Sequence, residues 1–202
     1  MALVEQHVVS ADIGDQFELI REAIAQGWEM WLETPERQKA ALTISARANA
    51  VHSYIVDRAS VLLPNVEIYD KSKLKLFVFQ SRYALRFKKF DNSLRTRNQP
   101  SGQVDSFRKQ SPLSAIPAVH HLEAGYVLAR SGQEIESMHL TCPNGDRLYW
   151  HIDITEQPKV YGTIDMIGVG NKKRTEDVQP AKFTTKKKDE IIPFRRKDEQ
   201  GD

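Results

Sequence analysis

The sequence predicts an α+β protein: an N-terminal helical hairpin packed on a mainly antiparallel β-sheet, with a disordered basic tail. Three observations carry this. Apolar residues recur every three or four positions as far as about residue 63, alternate with polar ones from about 66, and lose all period beyond 170. At 202 residues and 40% hydrophobic content the chain can bury one core. Residues 1–170 therefore read as one domain and 171–202 as the tail.

The elements follow in order. Asp12 is an expected N-cap, and Phe17, Ile20, Ile24, Trp28 and Trp31 share one helical face, so the first helix is placed at 13–32. Thr34, Pro35 and Glu36 supply a cap, a first-turn proline and an early acid. The second helix, 35–63, carries its stripe on Ile44, Ala48, Val51, Ile55, Ala59 and Leu62, and Pro64 ends it. A short turn between two such helices predicts a hairpin.

Strands are expected from about 66 to 90 and from about 125 to 168. In KLKLFVFQ, Leu74, Leu76 and Val78 fall on one face, and Lys73, Lys75, Phe77 and Phe79 on the other. After a turn at Gln80 and Ser81, Tyr83, Leu85 and Phe87 alternate with Arg82, Arg86 and Lys88. Residues 91–122 lack period and read as a long connection with one helical turn near Val104 to Gln110. Strands resume at Gly125 to Arg130, Ile135 to Cys142 and Arg147 to Ile154, with a further short strand expected in KVYGTIDMIGVG. A three-residue turn of Pro143, Asn144 and Gly145 would pair Leu140 with Leu148 and Met138 with Trp150. It would also set Thr141 opposite Arg147, His139 opposite Tyr149 and Ser137 opposite His151 on the outer face.

The net charge of +2 conceals opposed blocks. Residues 70–109 hold 11 Lys/Arg against 3 Asp/Glu, whereas residues 1–69 hold 5 against 10. Lys73, Lys75, Arg82, Arg86, Lys88 and Lys89 around Phe77 and Phe79, extended by Arg95 and Arg97, form a candidate nucleic-acid face, with cations for phosphates and rings for bases. The plainer reading is an edge strand kept soluble by charge.

Two other constellations compete. Gln103-Val104-Asp105-Ser106-Phe107 resembles the bacterial sliding-clamp-binding pentapeptide at Gln103, Asp105 and Phe107, with Ser106 where a leucine anchor belongs. It makes Gln103 and Phe107 candidate partner contacts of a clamp-docking inhibitor. His139, His151 and Tyr149, beside Arg147 and Asp153, are candidate catalytic residues of a metal-independent ribonuclease, against the commoner reading of a polar sheet face. His120, His121 and Glu123 do not make a metal site, because adjacent residues of an extended chain point to opposite sides. No cofactor is expected, nor is a metal. Cys142 is expected to be buried and inert. With one cysteine, no long apolar run and no secretory pattern at Met1, the chain reads as cytoplasmic, without a membrane partner.

LRFKKFDNSLRTRNQPSGQ resembles the central signature of an uncharacterised family of small bacterial proteins, through Arg86, Phe87, Lys88, Lys89, Asp91, Asn98, Pro100, Ser101 and Gln103. AGYVLAR and RLYWHIDI extend the likeness over about residues 30–155. Such genes often lie beside a helix-turn-helix regulator, commonly one with a zinc-metallopeptidase domain. With the basic block, the resemblance thus implies the toxin-like effector of a toxin-antitoxin-like or phage-defence-like pair, acting on nucleic acid or on the replication or translation machinery, with a cognate antitoxin or regulator as partner. It assigns no catalytic residue.

Overall fold

The helices and strands come from a computed structural model, which describes residues 3–71, 74–96, 101–113 and 119–156. Four helices precede the sheet: α1 (Gln6–Ile13), α2 (Phe17–Glu33), α3 (Glu36–Ala41) and α4 (Ile44–Leu62). The first expected helix, 13–32, corresponds to α2, which a 3-10 turn at Gly14–Gln16 precedes; α1 ahead of it was not expected, and Asp12 lies inside α1 rather than capping a helix. Its carboxylate instead accepts from the Tyr83 hydroxyl at 2.5 Å and pairs with Arg82. The second expected helix also divides, because Leu42 and Thr43 are extended and the Thr43 hydroxyl caps α4 by accepting from Ala46 N at 3.2 Å. Thr34 caps nothing; its hydroxyl donates back to Met30 O.

Helices α2 and α4 pack closely, and Gly27 permits the contact. A Cβ there would stand 2.6 Å from both Cα and N of Ile55. Ile20, Ala23, Ile24, Trp28 and Trp31 of α2 and Val51, Ile55, Val56 and Ala59 of α4 form the helical half of the core.

Six strands follow: β1 (Glu67–Lys71), β2 (Leu74–Phe79), β3 (Tyr83–Lys89), β4 (His120–Leu128), β5 (Ile135–Asn144) and β6 (Arg147–Asp153), with a fifth helix, α5 (Gly102–Arg108), between β3 and β4. They are ordered 1-2-3-4-5-6, and every neighbouring pair is antiparallel except β3 with β4. That parallel pair needs a crossover, which the connection 90–119 supplies. β4 begins at His120, five residues earlier than alternation suggests, because residues 121–127 are buried without a break and a strand covered on both faces has no alternation to read.

The sheet is indeed covered on both faces. Phe77, Phe79, Tyr83, Leu85, Phe87, Leu122, Ala124, Tyr126, Leu140 and Cys142 join the helical core, with Phe77 and Phe87 edge to face at 5.4 Å. Leu76, Val78 and Ala84, from the alternate positions, pack with Phe107, Leu113 and Val119 under α5 and its flanking chain. The expected division of β2 and β3 into a greasy side and a cationic side is therefore corrected. Phe77 pairs with Leu85, so the phenylalanines lie with the apolar residues of β3 on the helix side.

The β5–β6 register also differs from expectation. The turn holds two residues, Gly145 with φ +61° and Asp146, so Asn144 pairs with Arg147 and Pro143 with Leu148. A bulge at Tyr149 then pairs Cys142 with Trp150, Thr141 with His151, Leu140 with Ile152 and His139 with Asp153. Because the shift is even overall, Leu140 and Trp150 keep the helix face and His139 and His151 the other. Among the described residues no helix is long and apolar enough to cross a membrane. Lys73, Arg97, the strand expected in KVYGTIDMIGVG and the tail lie outside the described residues.

Candidate functional site

On the sheet face that α5 covers, the register places polar residues in two rows. Arg86, Glu123, Thr141 and His151 are successive neighbours across β3 to β6, and Lys88, Gly125, His139 and Asp153 lie two residues along. Arg86 was expected to face solvent; it is 2% exposed. Its guanidinium pairs with Glu123, Nε donating to Oε1 at 2.9 Å and Nη2 to the same oxygen. The Phe107 ring lies over it, 3.9 Å from centroid to Cζ, and stacks on the His121 ring at 4.5 Å. Burial lowers the Arg86 pKa and the Glu123 charge opposes that. Phe107 is thus an internal wedge with no exposed surface, which corrects its assignment as a docking anchor; Gln103 remains exposed one turn away.

The crossover is tied down around this pair. The Ser101 hydroxyl caps α5 by accepting from Val104 N at 3.2 Å. Gln110 closes the other end: Nε2 donates to His121 O and Pro143 O, each at 2.9 Å, while Oε1 accepts from His121 N at 2.8 Å. Arg108 Nη2 donates to the Thr96 hydroxyl at 2.7 Å, and Asp91 Oδ1 accepts from Ser93 N and Arg95 N, folding residues 91–95 into a tight loop.

These ties shape a cleft of about 420 Å³ between the loop 91–96, the end of α5 and the β5–β6 turn. Arg95, Arg108 and Arg147 line it, with Asp91, Glu123 and Asp146. Arginines from three separate segments thus line one opening, and one of its other lining residues, Glu123, is the carboxylate that pairs with the buried Arg86. Guanidinium groups suit bidentate contact with phosphate oxygens, and the carboxylates can accept hydrogen bonds from sugar hydroxyls or base amines. Sequence did not single out Arg108 within the basic block and offered Glu123 only beside His120 and His121, because it is the parallel pairing of β3 with β4 that sets Glu123 beside Arg86 and the crossover that carries Arg108 to the same cleft.

The remaining expected cations do not form a surface. Lys88 is half-buried, and burial with Arg86 and Arg108 nearby pulls its pKa down to about 8. Arg82 is spent on Asp12 and lies 5.4 Å over the Tyr83 ring. Lys75 is half-buried opposite Asp70, and Lys89 opens on the helix side. The expected cations that are described are thus distributed over both faces, and among them Arg95 lines the cleft, together with Arg108 from the same basic block.

His139 and His151 do meet, their rings edge to face at 5.7 Å, with Asp153 across the strand. His139 Nε2 is engaged with the Ser137 hydroxyl at 2.9 Å, however, and its Nδ1 is buried without a partner. Burial lowers the His139 pKa, Asp153 opposing and His151 assisting. Asp153 sits below the usual carboxylate value: burial pushes it up, but two hydrogen bonds from Thr155 and the two histidines outweigh that. Tyr149 is not part of this group, since the bulge turns its hydroxyl to Glu5. Among the described residues no three His, Cys, Asp or Glu are grouped to hold a metal. Cys142 is buried, its thiol pushed up to about 12 by that burial. Comparison with protein-family models, curated proteins and solved structures finds no match to this chain.

Proposed function

We propose that the protein is a nucleic-acid-binding effector whose phosphate contacts are made in the cleft of Arg95, Arg108 and Arg147. The observation that carries this is the convergence of three arginines from three chain segments on one opening, with acceptors between them for sugar or base. A cleft of this size admits one nucleotide unit of a single strand or a strand end more readily than a duplex. The likeness of residues 85–103 to proteins encoded beside regulators supports membership of a toxin-antitoxin-like or defence-like pair. Expression alone should then slow growth, and co-expression of the neighbouring gene product should relieve it.

The binding test uses Arg95→Ala with Arg147→Ala, both exposed, and fluorescence anisotropy of labelled single-stranded RNA and DNA over a salt series. Each lost phosphate contact should reduce the slope of log affinity against log salt by roughly 0.7. An unchanged slope and affinity would sink the reading. The histidine-pair ribonuclease has less support, because both nitrogens of His139 are occupied or buried. It predicts RNA cleavage in EDTA that His151→Ala abolishes.

A further inference from the structure

A second concavity, of about 740 Å³, opens on the helix side of the sheet, between α3, the first half of α4 and the ends of β3 and β4. Its floor is Trp28, Trp31, Val51 and Tyr126, and Trp28 and Tyr126 lie 5.9 Å apart. Two apolar side chains beside it stand in solvent, Ile44 at 86% and Leu32 at 48% exposure. The overhanging structure has little of its own to rest on. α3 buries none of its residues, and α4 buries none before Val51. A helix as short as α3 draws its stability from packing and finds none here, and the exposed Leu32 and Ile44 that flank it leave apolar surface open at the groove.

The rim decides what. Lys39, Arg47 and Lys89 line the groove against a single acid, Glu36, which lies 3.0 Å from Lys39. Bases are a poor fit, since Trp28 and Trp31 are only 8% and 9% exposed and Lys39 Nζ already sits 5.6 Å from the Trp31 ring centroid. Apolar side chains flanked by carboxylates suit both the exposed Ile44 and Leu32 and the cationic rim. We propose that this groove docks an acidic amphipathic helix of a protein partner, its apolar stripe on the exposed Ile44 and Leu32 and its carboxylates at Arg47 and Lys89. The groove is separate from the arginine cleft and does not depend on it.

The test is selection of a random peptide-display library on the full-length chain. The expected ligands are acidic, with apolar residues at i, i+3 or i+4 and i+7. Their affinity should fall about tenfold or more with Ile44→Glu and, separately, with Arg47→Glu plus Lys89→Glu, all at exposed positions; melting curves confirm folding. The double charge reversal should also favour peptides whose glutamates are changed to lysine. Basic or aperiodic ligands, equal binding to all variants, oligonucleotide binding lost with Ile44→Glu, or self-association abolished by it would each overturn the proposal.

Discussion

A buried arginine is the most consequential residue here. Taking Arg86 and Glu123 out of water costs several kcal/mol per ion, returned only while both partners and the Phe107 ring are in place. Arg86→Ala should therefore destabilise the fold by about 3–5 kcal/mol, by leaving Glu123 charged and unpaired in the interior. Arg86→Met combined with Glu123→Leu should restore most of that, and denaturant unfolding of the single and double variants checks both. Equal loss in the two would mean that the ion pair itself, rather than the orphaned charge, decides stability. An alanine at 86 is consequently a poor probe of nucleic-acid binding, whereas Arg95 and Arg147 are clean ones. Sequence alone could not separate them, for Arg86 and Lys88 alternate with apolar residues just as solvent-facing residues do. Only knowing that β3 is internal to the sheet, with α5 above it, reveals Arg86 as interior.

At the scale of elements, the α2–α4 crossing depends on the missing side chain of Gly27. Alanine would gain about 1 kcal/mol in helix propensity. It would also force backbone apart at a 2.6 Å approach, and overpacking of this kind typically costs about 1–3 kcal/mol. Gly27→Ala should lower the unfolding free energy by the difference, up to about 2 kcal/mol; a stabilised variant in urea melts would show that the helices can separate freely. Helices α2 and α4 were legible from their apolar stripes, as were β2, β3, β5 and β6 from alternation, whereas α1 was not. Their edges were not, because the caps expected of Asp12 and Thr34 are engaged elsewhere and the break at Leu42–Thr43 leaves the apolar stripe intact. The start of β4 was hidden by its burial on both sides, and the hairpin register by the bulge at Tyr149.

For the whole molecule, protonation offers the clearest test. His52 is held down to about 4, chiefly by burial and then by Lys88 and Lys75. Burial likewise lowers His120, His121 and His139. The unfolded chain takes up these protons near pH 6.5, before the folded one does. The contribution of these histidines should thus be full above about 6.5 and fall as the pH drops toward 4, by at most about 1.4 kcal/mol per pH unit from His52. Urea midpoints between pH 7.5 and 4 measure this, and His52→Gln should flatten the dependence; a midpoint that rises on acidification would contradict it. The α+β class, with helices preceding a sheet, was readable from the change of period at residue 66. The cleft was not, because its walls come from three segments that only the crossover brings together.

That crossover also governs how the chain is made. On the ribosome, the helices and the first three strands are complete once Lys89 has emerged, yet β3, destined for the middle of the sheet, is then an open edge carrying Tyr83, Leu85 and Phe87. Its parallel neighbour ends 39 residues later, at Leu128, which translation at about 5–20 residues per second takes roughly 2–8 s to deliver. Throughout that interval the nascent protein presents an unpaired β-edge and an uncovered sheet face. The half-synthesised chain is therefore the form most exposed to wrong strand pairing and most in need of a chaperone.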